Sequence, residues 1–497
     1  MSARRVAGPR PARHPVFVTI VLASSTLAYA VSQTMVIPAL PQISSDFGVD
    51  ESQTAWVMTA FFISSAVCSG IVGRLGDMFG KRRMLLIAIT CYGTGALASA
   101  AAPALPVLVV GRIVMGSGAG MVPLAYAIAR DELDGSRVAR AMGTIAMMIG
   151  LGAGIGMVLG GVLVDVASWH TSFLVAAGLS AVVFVLTLIV IPPSSLRSPA
   201  RLDVVGALLL ASGLGSVLFA ISRGPAWGWS SPGVLLLAAA GLVALALLFR
   251  VESHRDAPLL HVPTLRLRPV LFTNLASLAM GSGQVAVSIL VVQLAQLPAD
   301  SGGLGVDAST AGLLIIPYSI AMVVGSNLAG MFAGRLGGRR ILMIGASLAT
   351  LGLIALAVAP VTSTTLCVLA GVSGLGISMT LVAAPFLLVQ AVPQSRTGEA
   401  NGANTIARAV GQSLGSQVTA TVIAAHIVVG SEFPPASAYS VAFWLSAAGC
   451  ASAILSGASI PRRLHSVQVS TSVDTHRLSG GAVAAHEGDD LIGDIFT

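Results

Sequence analysis

Very few side chains within the long apolar stretches of this sequence could do chemistry. Arg112 and Arg408 are the two cations inside such stretches, and Asp77 and Asp165 are the acids that lie nearest to their middles. An isolated charge in hydrocarbon costs about 2.5–3.5 kcal/mol or more, so these residues usually face a cavity or a partner. The chemistry they indicate is charge pairing, because no Asp, Glu or His lies near the middle of an apolar stretch, where it could carry a proton.

Residue patterns typical of enzymes and metal proteins are missing from the sequence. It contains no Gly-x4-Gly-Lys-Ser/Thr phosphate loop, no His-Glu-x-x-His pair and no ligand spacing among its four cysteines. We interpret Cys68, Cys91, Cys367 and Cys450 as small packing residues. We therefore expect no enzymatic activity, no cofactor and no metal.

Composition sets the fold class. Of the 497 residues, 55% are hydrophobic and 9% are charged, whereas soluble domains carry about 25% charged residues. The apolar residues form blocks of about 20, the length that crosses a bilayer as a helix. We predict an all-α integral membrane protein of about fourteen transmembrane helices, at 16–40, 55–72, 84–102, 105–129, 141–164, 172–191, 204–221, 234–249, 270–294, 311–332, 341–359, 365–392, 402–427 and 437–456.

The charged residues indicate the orientation of these helices. When the loops are assigned alternately to two sides, nearly all of the 27 Lys and Arg fall on the side of the termini. The other side collects acids, namely Asp46, Asp50, Glu51, Asp165, Asp300, Asp307 and Glu432. This bias predicts that both termini are cytoplasmic. The membrane, and not a nucleic acid, accounts for the net charge of +7.

The chain contains a duplicated pattern. The glycines and basic residues of 73–83 reappear at 330–340, and the spacing of Gly143, Gly152 and Gly156 reappears in Gly402, Gly411 and Gly415. We predict a cytoplasmic N-terminus (1–14), a six-helix bundle (15–192), a linker with two additional helices (193–268), a second six-helix bundle (269–458) and a disordered cytoplasmic tail (459–497). Paired repeats around a central site are a recurring transporter plan.

The segment from Gly73 to Arg83, between helices 2 and 3, resembles the signature loop of the major facilitator superfamily. The helix-5 glycines and the two additional helices are similar to the fourteen-helix drug:proton antiporter branch, and the likeness extends to about Arg463. Three departures from that pattern are Ser32 in place of an Asp, Met157 in place of a Pro, and Trp169-His170-Thr171 in place of Trp-Arg-Trp.

The resemblance implies a secondary active exporter of small molecules, of the drug or multidrug efflux type, working by proton antiport with alternating access. It would be a multi-pass protein of the bacterial inner (plasma) membrane. Its partners would be a small-molecule substrate, protons and the lipid bilayer, without nucleic acid, and the protein would be a monomer. The alternatives are a uniporter or importer of a metabolite without proton antiport, and, more remotely, a polytopic membrane sensor or enzyme.

In the same way, the resemblance assigns a conformational gate to the signature loop, formed by Gly73, Asp77, Gly80, Lys81, Arg82 and Arg83. The Asp77 carboxylate would pair with Arg83 or lie at a helix N-terminus, whose partial positive charge favours an acid. Asp77→Asn would then slow transport without preventing insertion. The alternative is a loop that determines topology alone. We expect the charged residues at 130–134 to be solvated.

Proton coupling would involve Arg112 and Asp165, although Arg112 could instead be a structural arginine bonded to backbone carbonyls. Arg408, near the start of its predicted helix, could reach the interface by extending its side chain, which favours a structural role. The helix-5 glycines would allow sliding between helices, or would serve close packing alone. They are Gly143, Gly152, Gly156, Gly160 and Gly161.

Uncharged polar side chains and methionines are the candidates for the substrate cavity. The methionines would supply adaptable apolar surface, or would face lipid. The set consists of Gln33, Met147, Met148, Gln284, Tyr318 and Asn327.

Overall fold

A computed structural model describes residues 15–133, 136–193, 203–254, 262–392, 397–426 and 433–461. Every regular element in these ranges is helical, and thirteen helical segments are long and apolar enough to cross a membrane. The predicted all-α membrane fold is therefore confirmed. The predicted N-terminal segment 1–14 and almost all of the predicted tail lie outside the described residues.

The first half contains six spans. They are α1 (Pro15–Met35), which continues through a 3-10 turn into α2 (Leu40–Phe47); α3 (Glu51–Thr54) with α4 (Trp56–Phe79); α5 (Lys81–Ala100); α6 (Leu105–Gly116) with α7 (Met121–Glu132); α8 (Ser136–Val166); and α9 (Trp169–Val190). A 3-10 turn at Ser117–Gly120 joins α6 to α7, so the fourth span stays continuous.

The linker and the second half are also built from helices. The linker contains α10 (Val204–Trp227), α11 (Pro232–Glu252) and the short α12 (Val262–Leu265). The second half contains α13 (Arg268–Gln296), α14 (Ala308–Leu314) with α15 (Ile316–Leu336), α16 (Gly338–Val358), α17 (Ser363–Ala391), α18 (Thr397–Ala425) and α19 (Ala436–Ser459). The predicted span at 402–427 falls on α18, which is not among the thirteen apolar segments because Asn, Gln and Arg residues interrupt it.

Both halves pack their helices in the same pairs. The first span contacts the fifth (α1 with α8, α13 with α18), the second contacts the fourth (α4 with α6, α15 with α17), and the third contacts the sixth (α5 with α9, α16 with α19). The repeated glycine spacing in the sequence therefore corresponds to a repeated packing arrangement in space.

The segment 73–83, which the sequence suggested to be a loop, is helical except at one residue. Helix α4 ends at Phe79 and α5 begins at Lys81, so Gly80 alone turns the chain. Gly80 has φ 99°, and Gly337, at the same position of the repeat, has φ 78°. Only glycine adopts such angles without strain, because it has no Cβ.

Gly80→Ala should destabilise the protein by about 1–3 kcal/mol, the usual cost of holding a non-glycine residue in a disfavoured backbone conformation. The melting temperature of purified protein in detergent measures this effect. Gly73→Ala is the matched control, because its Cβ would meet no atom within 4 Å in the interior of α4. An equal loss in both variants would show that the turn does not require glycine.

The two linker helices pack against both halves. Leu210 of α10 and Leu248 of α11 share an apolar cluster with Ala66 of α4 and Ile406 of α18. Ser222 of α10 exchanges hydrogen bonds of 3.3 Å with Ser52, and its hydroxyl accepts one from Trp56 at 3.2 Å. The linker therefore covers the line along which α4 meets α18.

Candidate functional site: the interface between the two halves

The loops and helix termini define two ends of the bundle with different charges. One end, here called the carboxylate end, carries Asp46, Asp50, Glu51, Asp165 and Asp307. The opposite end, here called the Lys81 end, carries Lys81, Arg82, Arg83, Arg339 and Arg340. The two halves contact each other differently at these two ends.

Helix α8 of the first half meets α14 and α15 of the second half at the carboxylate end. Gly161 lies against the Ala308 carbonyl, and an ideal Cβ at Gly150 would be 3.4 Å from Val323. Towards the Lys81 end the contact stops, because a Cβ at Gly143 or Gly330 would meet no atom within 4 Å. The close contacts of this interface therefore lie towards the carboxylate end, and none occurs at Gly143 or Gly330.

The remaining helix-5 glycines pack within the first half. Gly152 lies against Leu27 and Ala30 of α1, Gly156 against the Val31 carbonyl, and Gly160 against the Met35 carbonyl. Four of the predicted glycines thus lie at close helix contacts, whereas Gly143 lies apart from them. Consecutive glycines serve different surfaces: Gly160 faces α1, and Gly161 faces the second half.

Asp165 connects the two halves at the carboxylate end. Its carboxylate accepts hydrogen bonds from the backbone N–H groups of Ala308 (3.1 Å) and Ser309 (2.5 Å), at the first turn of α14. An acid at a helix N-terminus is stabilised by the helix dipole. Asp307 caps the same helix by accepting from the Thr310 N–H at 2.8 Å. Asp165 therefore stabilises closure of this end.

A second set of polar contacts, between α18 and the start of α4, was not predicted from the sequence. Gln417 donates to the Ser52 carbonyl at 3.1 Å, and its amide oxygen accepts from Thr59 at 3.4 Å. Glu51 accepts from the Gln293 amide of α13 at 3.0 Å. These contacts close the carboxylate end on its other side.

A repeat signal for this end was nevertheless present in the sequence. Asp50 and Asp307 occupy the same position of the repeat, and each caps a short helix that leads into the second span of its half. The Asp50 carboxylate accepts from the Gln53 N–H at 2.8 Å, as Asp307 does from Thr310. This pair marks the segments at which the halves meet.

At the Lys81 end, the basic residues of the signature segment connect helices within one half. Lys81 is buried and forms an ion pair of 2.5 Å with Asp131, so the expectation that 130–134 is merely solvated is wrong for Asp131. Arg82 donates to the Leu188 carbonyl of α9 at 2.7 Å, while Arg83 is exposed. The side chain of Asp77 lies outside the described part of the chain, so its predicted pairing stays a prediction.

The second half repeats the Arg82 contact. Arg339, at the same position of the repeat, donates to the carbonyls of Gly457 (3.0 Å) and Ala458 (2.9 Å) in the last turn of α19. A cation there satisfies carbonyls that have no partner within the helix. In both halves an arginine of the third span therefore forms hydrogen bonds with backbone carbonyls of the sixth span.

Arg112 is fully buried two turns inside α6. Its Nε donates to the Val57 carbonyl of α4 at 2.8 Å, and its guanidinium lies 4.1 Å from the centre of the Phe61 ring. Its other polar contacts are the sulfurs of Met58 and Met115, and no carboxylate of the described residues pairs with it. This environment favours the structural interpretation over proton coupling.

The candidate cavity residues separate into two groups. Gln284 accepts from the Gln412 amide at 3.3 Å, and the Tyr318 hydroxyl donates to the Gln284 carbonyl at 3.4 Å, which brings these residues together in the second half. Met147 is 49% exposed and Asn327 is exposed, beyond the point where the α8–α15 interface opens. Gln33 and Met148 are half-buried.

Two repeated six-helix halves that meet at one end and part at the other define a membrane transporter of the two-bundle class. Three overlapping stretches, 22–204, 198–416 and 275–472, match the family model of the Major Facilitator Superfamily, and the chain belongs to that superfamily.

Named relatives and a solved structure agree with this assignment. The multidrug resistance protein Stp of Mycobacterium tuberculosis is 29% identical over 392 residues, covering 78% of this chain and 72% of that protein. The probable actinorhodin transporter of Streptomyces coelicolor is 26% identical over 431 residues, covering 84% and 74%. The fold is similar to a crystal structure of the peptide transporter POT with sulfate, with a TM-score of 0.68 and 16% identity, over 93% of this chain and 97% of that chain.

Proposed function

We propose that this protein exports small molecules of the drug or antibiotic type across the bacterial plasma membrane, by proton antiport with alternating access. The relatives named for multidrug resistance and actinorhodin transport support the substrate type. The observation that carries the mechanism is the α8–α15 interface, closed from Gly161 to Gly150 and open at Gly143 and Gly330.

The direction of opening follows from charge. The positive-inside bias supports a cytoplasmic location for the Lys81 end. The cleft between the halves is then open to the cytoplasm and closed to the outside, the state in which an exporter loads its substrate. Export requires the contacts of the carboxylate end to break and those of the Lys81 end to form.

Glu51 and Asp165 are our candidates for proton coupling, because each carboxylate belongs to the first half and accepts hydrogen bonds from the second. Protonation removes the negative charge and weakens both contacts, which favours opening of this end. Asp307 is a poorer candidate, since its partner Thr310 belongs to its own half and the hydrogen bonds from Thr310 lower the pKa of its carboxyl. It therefore stays charged at neutral and mildly acidic pH.

Glu51→Gln and Asp165→Asn should each reduce the stimulation of transport by a pH gradient by about tenfold, which corresponds to a coupling free energy of about 1.4 kcal/mol. Dye uptake into everted vesicles, with and without an imposed gradient, measures this stimulation. Asp46→Asn is the control, because Asp46 accepts its hydrogen bond from Trp169 within the same half. Normal stimulation in both variants would show that Glu51 and Asp165 do not couple transport to the pH gradient.

The experiment that tests the function compares cells with and without the protein in a susceptibility screen of antibiotics, dyes and metabolites. Export predicts increased resistance to some compounds and gradient-driven movement of those compounds in vesicles. If the compounds move at the same rate after the pH gradient is collapsed, the result would instead favour a uniporter. Purified protein that moves none of the panel in liposomes would contradict transport of this class of substrate.

A further inference from the structure

Helix α18 presents a polar stripe along its length. Asn401, Thr405, Arg408 and Gln412 recur at spacings of four, three and four residues, which places them on one face of a helix. Asn401 and Arg408 are half-buried, Thr405 is exposed, and Gln412 is buried against Gln284. Near Gln412 and Arg408 the stripe lies beside Gln284 and Gly281 of α13.

Arg408 occupies the middle of this stripe and lies deeper than the sequence suggested. Helix α18 begins at Thr397, so Arg408 is three turns from the start. The carbon stem of its side chain packs over Gly281 of α13. Tyr29 and Tyr126, which belong to the opposite half, lie within electrostatic range of its guanidinium. Arg408 therefore lies near the boundary between the two halves.

The Arg408 guanidinium differs from that of Arg112 in its hydrogen bonding. Arg112 is sealed from solvent and donates to the Val57 carbonyl, whereas Arg408 donates no hydrogen bond and forms no ion pair within the described residues. A cation inside a membrane protein usually has a partner. Because the described residues of the protein supply none, an anion from outside would complete the site.

Two tyrosines of the first half lie in the neighbourhood of Arg408. Tyr29 stacks on Phe61 with 5.8 Å between the ring centres, and Tyr126 of α7, like Tyr29, lies within electrostatic range of Arg408. Both described cations in this region, Arg112 and Arg408, repel a positively charged ligand. The nearest described acids that bridge the halves, Glu51 and Asp165, are at the carboxylate end and are engaged there.

We infer that Arg408 is a substrate-selecting residue, which binds the carboxylate or phenolate of an aromatic acid while Tyr29 and Tyr126 contact its rings. This inference rests on the proposed export function and specifies its substrate class as anionic aromatic molecules. A charge-assisted hydrogen bond of this kind contributes about tenfold or more to affinity.

Two xanthene dyes of opposite charge, anionic fluorescein and cationic rhodamine 6G, test the inference by fluorescence anisotropy with the purified full chain in nanodiscs. We expect fluorescein to bind at least about tenfold more tightly than rhodamine 6G, and Arg408→Gln to weaken fluorescein binding by about tenfold. Arg408→Lys keeps the charge and should retain most of the affinity. Arg250→Gln, which removes an exposed charge at the end of α11, is the matched control.

Three results would overturn the inference: tighter binding of rhodamine 6G, unchanged fluorescein binding in Arg408→Gln, or an equal loss in Arg250→Gln. Failure of the wild type to bind fluorescein at all would also contradict it. The susceptibility screen tests the export function without using these dyes. The export function can therefore be confirmed even if the role assigned to Arg408 is wrong. If Arg408→Gln does not fold, the comparison of the two dyes on the wild type and on Arg408→Lys still decides.

Discussion

Gly161→Leu should lower the transport rate by about 100-fold, because the added side chain would meet the Ala308 carbonyl and prevent the carboxylate end from closing. Overpacking of this kind costs about 1–3 kcal/mol, and about 2.7 kcal/mol reduces the population of the closed state about 100-fold. Dye efflux measures the rate. Reaction of an impermeant maleimide with Ser319→Cys in intact cells measures the closure, in a background without the four native cysteines.

Gly160→Leu is the matched control for this prediction. Gly160 lies against the Met35 carbonyl within the first half, so the substitution should lower the melting temperature without exposing Ser319→Cys. If Gly161→Leu transports normally, or if both variants expose Ser319→Cys equally, then Gly160 and Gly161 do not have separate roles in packing and in closure. The experiment thereby separates the two functions that the sequence left open for the helix-5 glycines.

Arg112→Ala should lose stability and transport together. The substitution removes a fully buried side chain from between α4 and α6 and leaves the Val57 carbonyl without its donor. Losing a large buried side chain costs about 3–5 kcal/mol. The melting temperature in detergent and substrate-dependent efflux, measured on the same preparation, check this expectation.

The competing role for Arg112 predicts a different pattern. A proton-coupling arginine could be replaced with little change in melting temperature, and the gradient-driven part of transport alone would disappear. Arg112→Lys adds a second discrimination, because lysine keeps the charge but not the geometry of the guanidinium over Phe61. Full stability with selective loss of gradient dependence would contradict the structural interpretation.

The sequence predicted the number and type of elements well, because bilayer thickness fixes the length of an apolar helix. It predicted the boundaries of polar spans less well. Arg408 was expected about two turns from the start of its helix, yet α18 begins at Thr397, which puts Arg408 three turns from the start. Polar residues at the start of a membrane helix resemble loop residues when hydropathy is the only criterion.

The sequence could not orient the helices about their axes. Lipid and helix neighbours are both apolar, so periodicity does not distinguish them. Gly160 and Gly161 are adjacent in the chain but face different halves, and only the packed structure separates them. Likewise, Glu51 and Gln293 are far apart in sequence, and their contact depends on how the two halves dock.

In the proposed alternating-access cycle, the linker helices would move differently with respect to the two halves. Helix α10 is hydrogen-bonded to the first half through Ser222, Ser52 and Trp56, whereas its contact with α18 is made by aliphatic side chains near Val410 and Leu414. Directional polar bonds resist sliding, and a smooth aliphatic surface permits it. The two linker helices should therefore move together with the first half, while α18 slides along their aliphatic surface.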